Sequence, residues 1–203
     1  ISVLVFISGF NSNSFSRDSK TRRFVLAVGA NYGGPGRDRL RYAVKDAFSV
    51  ISLLQKLGGI EKKDTKFLIE PNRTSFLNAF ISLKKNINIQ KQKHRRVEAI
   101  IYYSGHADEF GLLLGRDRIK FNELKKVIKD LPADVKIAIV DSCSSGSLTR
   151  VKGGKITSPF LVDRSYNMKG YAFLTSSSSN EVSQESDRIG GSFFTHYLLT
   201  GLR

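Results

Sequence analysis

Two apolar runs, each ended by a turn of small residues, dominate the hydrophobic pattern of the chain. The first is 97–105, VEAIIYYSG, and the second opens the stretch 136–146, KIAIVDSCSSG. Continuous apolar runs of this length are typical of strands in a parallel sheet that is covered by helices on both faces. His106 directly follows the first run, and Cys143 lies in the turn after the second. Because ligands bind beyond the carboxyl ends of parallel strands, the pattern predicts a thiol and an imidazole at the same sheet edge.

The rest of the pattern alternates strands with helices. Apolar runs predict further strands, and spacings of three and four predict helices. The predicted strands are 22–30, 65–70 and 170–175, with 111–115 as a short strand or hairpin arm; the predicted helices are 40–57, 121–131, 192–202 and one from Thr74 or Ser75 to about 87. Strands joined by helical crossovers of this length predict a doubly wound α/β sheet in one domain.

The histidine and the cysteine can meet only if the two strands are neighbours. Side chains two residues apart on a strand point the same way, so Ser104 shares a side with His106, and Asp141 with Cys143. Neighbouring strands lie about 4.8 Å apart, close enough for a Cys/His dyad in which the base raises the fraction of nucleophilic thiolate. The alternatives are a structural cysteine and histidine, or a zinc site on His106, Asp108, Asp141 and Cys143. The chain has neither a CxxC nor an HExxH spacing to support zinc.

Composition limits the class of protein. The 203 residues are 40% hydrophobic and 25% charged, values typical of a globular protein, and no run is long enough to span a bilayer. A single cysteine excludes a disulfide framework within the chain. The net charge of +15 favours anionic partners, and its densest compact stretch is the basic linker 84–96, KKNINIQKQKHRR. No aromatic interrupts that stretch, so we interpret it as a solvated face or loop, with a nucleic-acid or membrane-surface binder as the alternative.

The N-terminal segment, 1–21, is set apart from the rest. Residues 1–10, ISVLVFISGF, are apolar, and the following stretch to Lys20 is polar and rich in Ser and Asn. We interpret the apolar run as the core of an export signal, with an edge strand as the alternative. The first interpretation predicts an exported or cell-envelope protein, and the second a cytoplasmic one.

Four ordered blocks resemble the caspase-like cysteine peptidases, in particular metacaspases and their bacterial relatives. The blocks are FVLAVGANYGGPGRDRLRYAVKDA, YYSGHA, DSCSSG and SQESDRIGGSFFTHYLLTGL, and the resemblance extends over the domain 22–203. The resemblance implies a caspase-like sandwich, in which helices cover both faces of a mainly parallel central sheet. The chain stops at Arg203 next to a predicted helix, so we also expect this domain to be truncated at its C-terminus.

The resemblance also implies roles for individual residues. His106 would activate the thiol and protonate the leaving amine, and Cys143 would be the nucleophile. The backbone N–H groups of Ala107 and Cys143 would form the oxyanion hole. Asp46, Ser104 and Asp141 would line an acidic pocket for the side chain before the cleaved bond, which implies cleavage after Arg or Lys.

Departures from the family pattern refine these expectations. Ala107 stands where metacaspases usually have glycine, which preserves a backbone donor, and Ala43 stands where they often have cysteine. The acidic cluster that binds calcium in many metacaspases is not evident, so no metal, cofactor or calcium dependence is predicted. The segment 148–169 contains Arg150, Lys152, Lys155 and Arg164, which such a pocket could accept, and this predicts self-cleavage.

The expected partners are peptides with basic residues rather than a specific nucleic acid, and the expected state is monomeric. An inactive caspase-like scaffold for protein interaction remains the alternative.

Overall fold

A five-stranded parallel sheet forms the centre of the molecule. The computed structural model describes residues 21–94, 96–142, 170–176 and 184–203. The strands are β1 (Arg22–Ala30), β2 (Thr65–Ile69), β3 (Val97–Gly105), β4 (Gly111–Leu114), β5 (Asp117–Lys120), β6 (Val135–Asp141), β7 (Gly170–Thr175), β8 (Glu185–Ser186) and β9 (Gly191–Ser192). The helices are α1 (Ala43–Leu57), α2 (Arg73–Lys91), α3 (Phe121–Lys129) and α4 (Phe193–Gly201), with a 3-10 turn at Lys62–Asp64. The sheet has the order β2-β1-β3-β6-β7, and β4–β5 and β8–β9 are hairpins.

Strand alternation builds a separate core on each face of the sheet. Phe24, Leu26 and Val28 of β1 point to the core beneath α2 and α3, whereas Val25 and Ala27 point to the core beneath α1 and α4. In β3 and β6, Tyr103 and Val140 face the first core, and Tyr102 and Ile139 face the second. Because both faces are apolar and covered, the predicted α/β sandwich with a parallel sheet and helices on both faces is confirmed.

The structure corrects two predicted helix boundaries. The helix expected from residue 40 begins at Ala43, and the backbone N–H groups of Arg41 and Tyr42 just ahead of it donate to the carboxylate of Glu185. The N-cap of α2 is Asn72, whose side chain accepts the backbone N–H of Ser75 at 2.8 Å, so neither Thr74 nor Ser75 is the cap.

The basic stretch 84–96 is only partly a linker. α2 continues to Lys91, because Leu83 and Ile87 are buried against the core and hold this polar part of the helix to the sheet. In the part of the chain that the structure describes, no helix is both long and apolar enough to cross a membrane.

Pairing between β3 and β6 sets the geometry of the site. The two strands are parallel neighbours, and Ser104 lies opposite Asp141 in their register. Asp141 continues the side of β6 that carries Ile137 and Ile139, and Ser104 continues the side of β3 that carries Tyr102. Both polar residues are therefore directed toward α1 and α4.

Candidate functional site

His106 lies just past the end of β3 and is held by a loop that follows β1. Its Nε2 is 2.9 Å from the backbone oxygen of Asp38. Since a carbonyl oxygen can only accept, Nε2 carries the proton and donates it, which leaves the lone pair of the neutral ring on Nδ1. Burial lowers the pKa of His106, while the bond to the Asp38 carbonyl acts in the opposite direction. The imidazole is therefore biased toward the neutral form, in which Nδ1 can act as a base.

The backbone and ring of His106 are fixed from two sides. The hydroxyl of buried Tyr103 lies 2.7 Å from the backbone oxygen of His106 and 2.8 Å from that of Leu113. The backbone N–H of Leu113 also donates to the His106 oxygen, at 2.9 Å. On the ring side, Gly33 packs so tightly that a Cβ added there would overlap the imidazole and lie 2.7 Å from the His106 Cβ. The position of the base is thus defined by packing as well as by hydrogen bonds.

Asp46 and Asp141 meet at one residue, Ser192. The Ser192 backbone N–H donates to Asp46 Oδ2 at 3.0 Å, and its hydroxyl donates to Asp141 Oδ2. The hydroxyl of Thr195 donates to the same Asp141 oxygen at 2.6 Å, and that hydroxyl accepts from Tyr102 at 2.5 Å. Asp46 and Asp141 are only 5% and 3% exposed. Two carboxylates thus converge in a nearly dry environment beside the carboxyl ends of β3 and β6.

The ionisation of Asp46 is strongly perturbed. Burial raises the pKa of Asp46 to about 7, the bond from the Ser192 N–H acts in the opposite direction, and the negative charge of Asp141 raises it further. Near neutral pH this carboxylate is therefore divided between a neutral and a charged form. A cation placed beside it would favour the charged form.

Replacing Asp46 by asparagine is expected to stabilise the folded protein above neutral pH. The folded pKa lies above the ordinary value of 3.8. The unfolded chain therefore loses its proton first as pH rises, and stability falls between about pH 4 and 7. Asp46→Asn removes this loss, so its free energy of unfolding should exceed that of the wild type by roughly 1 to 4 kcal/mol at pH 8. Urea unfolding of both proteins at pH 5 and pH 8 measures the difference.

Asp130→Asn is a suitable control for this comparison because Asp130 is exposed. That change should leave the pH dependence of unfolding as it is in the wild type. A gain for Asp46→Asn that is equal at both pH values would contradict the assignment of a raised Asp46 pKa.

The remaining predicted site residues are placed as follows. Ser104 is 4% exposed and lies beside Tyr102, within the same buried polar group. Ala107 forms a bridge with Leu112 next to His106. Cys143 and the segment 148–169 lie outside the described residues. Within the described residues, no group of three or more His, Cys, Asp or Glu side chains is arranged to hold a metal ion.

Three residues around Asp141 and the start of α1 were not predicted from the sequence. Ser192 and Thr195 donate to Asp141, and Glu185 joins the β8–β9 hairpin to the start of α1. The sequence gives little indication of these contacts, because each one joins residues more than 50 positions apart. The sequence offered one usable sign, an N-cap serine ahead of an apolar helix, and Ser192 accepts the Thr195 backbone N–H at 2.9 Å as that sign predicts.

Comparison with known proteins now identifies the family. A model of the caspase domain, peptidase family C14, matches residues 22–203. The chain belongs to the caspase-domain family of cysteine peptidases. Members of the family are hydrolases that act on proteins. No curated protein sequence matches the chain.

The solved structures support the same fold for this caspase domain. It is similar to caspase-1 from Spodoptera frugiperda, with a TM-score of 0.61 and 16% sequence identity, over 100% of this chain and 77% of that one. At this identity the likeness shows the fold, and it confirms the caspase-like sandwich expected from the four sequence blocks. The metacaspase relationship stays a prediction.

Proposed function

We propose that this caspase domain is a cysteine endopeptidase that cleaves after Arg or Lys through His106 and Cys143. The observation that carries the specificity is the convergence of Asp46 and Asp141 on Ser192. In the sequence, Cys143 follows Asp141 by two residues. A side chain bound against these carboxylates would therefore lead to a peptide bond near the thiol.

The chemistry assigns one role to each group. Nδ1 of His106 takes the proton of the Cys143 thiol, and the sulfur attacks the carbonyl carbon of the substrate. The backbone N–H groups of Ala107 and Cys143 stabilise the resulting oxyanion. His106 returns the proton to the leaving amine, which leaves a thioester on Cys143. Water, deprotonated by His106, then hydrolyses the thioester and restores the thiol.

The pocket favours a basic side chain on electrostatic grounds. A guanidinium or ammonium group recovers the cost of burying Asp46 and Asp141 by pairing with them, and guanidinium can pair in a bidentate way. An acidic side chain would add a third negative charge to the same buried volume. We therefore propose exclusion of Asp before the cleaved bond, even though the fold is that of caspases.

A panel of fluorogenic peptides tests this function. The peptides differ only in the residue before the reporter group, which is Arg, Lys, Gln or Asp. Cleavage after Arg and Lys should exceed cleavage after Asp by at least about 100-fold in kcat/KM, as expected for removal of a buried charge pair. Protein alkylated with iodoacetamide is the blank, since Cys143 is the only cysteine.

Two outcomes would contradict parts of the proposal. Faster cleavage after Asp would leave the peptidase and overturn the acidic pocket. Cleavage that survives alkylation would overturn the assignment of Cys143. Calcium and a calcium chelator should give equal rates in the same assay, because the proposal requires no metal.

Self-processing follows from the same preference. The segment 148–169 contains basic residues at 150, 152, 155 and 164, and each satisfies the proposed requirement. We propose that the enzyme cleaves itself within this segment.

A further inference from the structure

One loop supplies both contacts that hold the imidazole of His106. The loop, residues 31–40, follows β1 and is closed by a hydrogen bond of 2.9 Å from the Leu40 N–H to the Asn31 oxygen. Within it, Asp38 accepts the Nε2 proton of His106, and Gly33 packs against the ring. A shift of this loop would therefore move the base, although the loop itself contains no base or nucleophile of the dyad.

Glu70, at the end of β2, ties this loop in place. Its two carboxylate oxygens accept the backbone N–H groups of Asn31 at 3.1 Å and Tyr32 at 3.2 Å. The guanidinium of Arg39, at the other end of the loop, donates to one of the same oxygens at 3.2 Å. One side chain thus fixes both ends of the segment that contacts His106.

The backbone of Glu70 is itself unusual. Its φ is +46°, and among the described residues no other residue except glycine has a positive φ. This conformation is costly for a residue with a side chain and persists where the surrounding structure fixes it. The Glu70 N–H donates to the Gly29 oxygen at 2.9 Å, which continues the parallel pairing of β1 and β2 by one more bond. The carboxylate of this residue reaches the loop.

We propose that Glu70 is a positioning residue for the catalytic base, acting on His106 through the loop 31–40. This inference rests on the proposed function, since it assigns Glu70 to the same His106 and Cys143 reaction. The hydrogen bonds of the Glu70 side chain go to the loop, so the loss of this side chain should affect the orientation of the imidazole more than the stability of the sheet.

Steady-state kinetics of Glu70→Ala with an Arg peptide test the proposal. The variant should lower kcat by about 10- to 100-fold, the range expected for a small misplacement of a catalytic group. KM should stay within about twofold, because the acidic pocket is built from other elements. Glu70→Gln keeps one acceptor oxygen and should recover part of the loss, to within about tenfold of the wild-type kcat.

Glu123→Ala is the matched control. The Glu123 side chain is 27% exposed and that of Glu70 is 29% exposed, and each pairs with an arginine, Arg73 in the case of Glu123. Glu123 lies on α3, away from the loop, so its loss should lower stability without lowering kcat. Equal losses of kcat in both alanine variants, in proportion to lost stability, would show a merely structural role and overturn the proposal. An unchanged kcat in both Glu70 variants would overturn it as well.

The alkylation rate of Cys143 as a function of pH gives a readout that needs no substrate. A nearby histidine lowers the pKa of a thiol, so a displaced His106 should raise the midpoint toward the ordinary value of about 8.5. The midpoint in both Glu70 variants should move toward that of His106→Gln, while Glu123→Ala should match the wild type. If the wild type cleaves no peptide but these midpoints shift, the proposed function fails and the positioning role stands. Unshifted midpoints overturn the role of Glu70 whatever the activity.

Discussion

Replacing His106 by glutamine is expected to lower kcat/KM for cleavage after Arg by about 10²- to 10⁴-fold, the contribution of a positioned general acid and base. Glutamine has a side-chain amide that can still donate a hydrogen bond, but it cannot take the thiol proton. The loss should be concentrated in kcat, because Asp46 and Asp141 remain to bind the substrate. Purified variant and wild type, assayed with the same Arg peptide from pH 5 to pH 9, give the comparison.

In the wild type, kcat and KM should change at different pH values, because kcat depends on His106 and KM depends on Asp46. Burial lowers the pKa of His106, so the neutral base persists to lower pH than in an exposed histidine. Asp46, with its pKa near 7, gains a proton as pH falls below neutrality and loses its attraction for a basic side chain. KM for the Arg peptide should therefore rise at a higher pH than the one at which kcat falls.

His196→Gln is the control for a general effect of histidine loss, since His196 is exposed on α4. It should retain the wild-type kcat. Full activity in His106→Gln, with loss in Cys143→Ala, would mean that another group deprotonates the thiol, and the assigned dyad would be wrong.

Replacing Gly33 by alanine is expected to lower kcat by about 100-fold without changing a single ionisable group. The added Cβ would overlap the imidazole of His106, so either the ring or the loop has to move. Displacement by a fraction of an ångström weakens the bond from Nε2 to the Asp38 oxygen and turns Nδ1 away from its working position. Kinetics of Gly33→Ala with the Arg peptide measure the effect.

Gly170→Ala is the steric control for this variant. A Cβ at Gly170, the first residue of β7, would meet no atom of the described residues within 4 Å, and that glycine has no positive φ. The control should keep wild-type kcat and KM. If Gly33→Ala matched it, the contact between Gly33 and His106 would have no part in catalysis.

The strands β1, β3 and β6 were predictable because they are apolar on both faces. Each of β1, β3 and β6 places consecutive hydrophobic side chains into two different cores, so the pattern needs no knowledge of the neighbours. Their parallel direction followed from the helical crossovers, whereas the pairing of β3 with β6, which places Ser104 opposite Asp141, is seen in the structure. The position of His106 at this edge of the sheet could thus be predicted from the sequence.

The surroundings of those residues were not predictable in the same way. α1 begins three residues later than its hydrophobic spacing indicates, and the two backbone N–H groups just ahead of it donate to Glu185, a residue distant in the sequence. Glu70 gave no sign of its role, since a carboxylate at the end of an edge strand is ordinary in sequence. The left-handed backbone that directs it toward the loop becomes visible only in the fold.

The parts of the chain before and after the segment 143–169 contact each other directly. β6 and β7, on either side of it, form a parallel ladder, and the Ser142 N–H donates to the Ser176 hydroxyl at 2.9 Å. Asp141 precedes the segment, Ser192 follows it, and their hydrogen bond joins the two parts. Because these contacts join the two parts directly, we expect a chain cleaved within 148–169 to stay associated, with Asp141 and Ser192 still hydrogen-bonded.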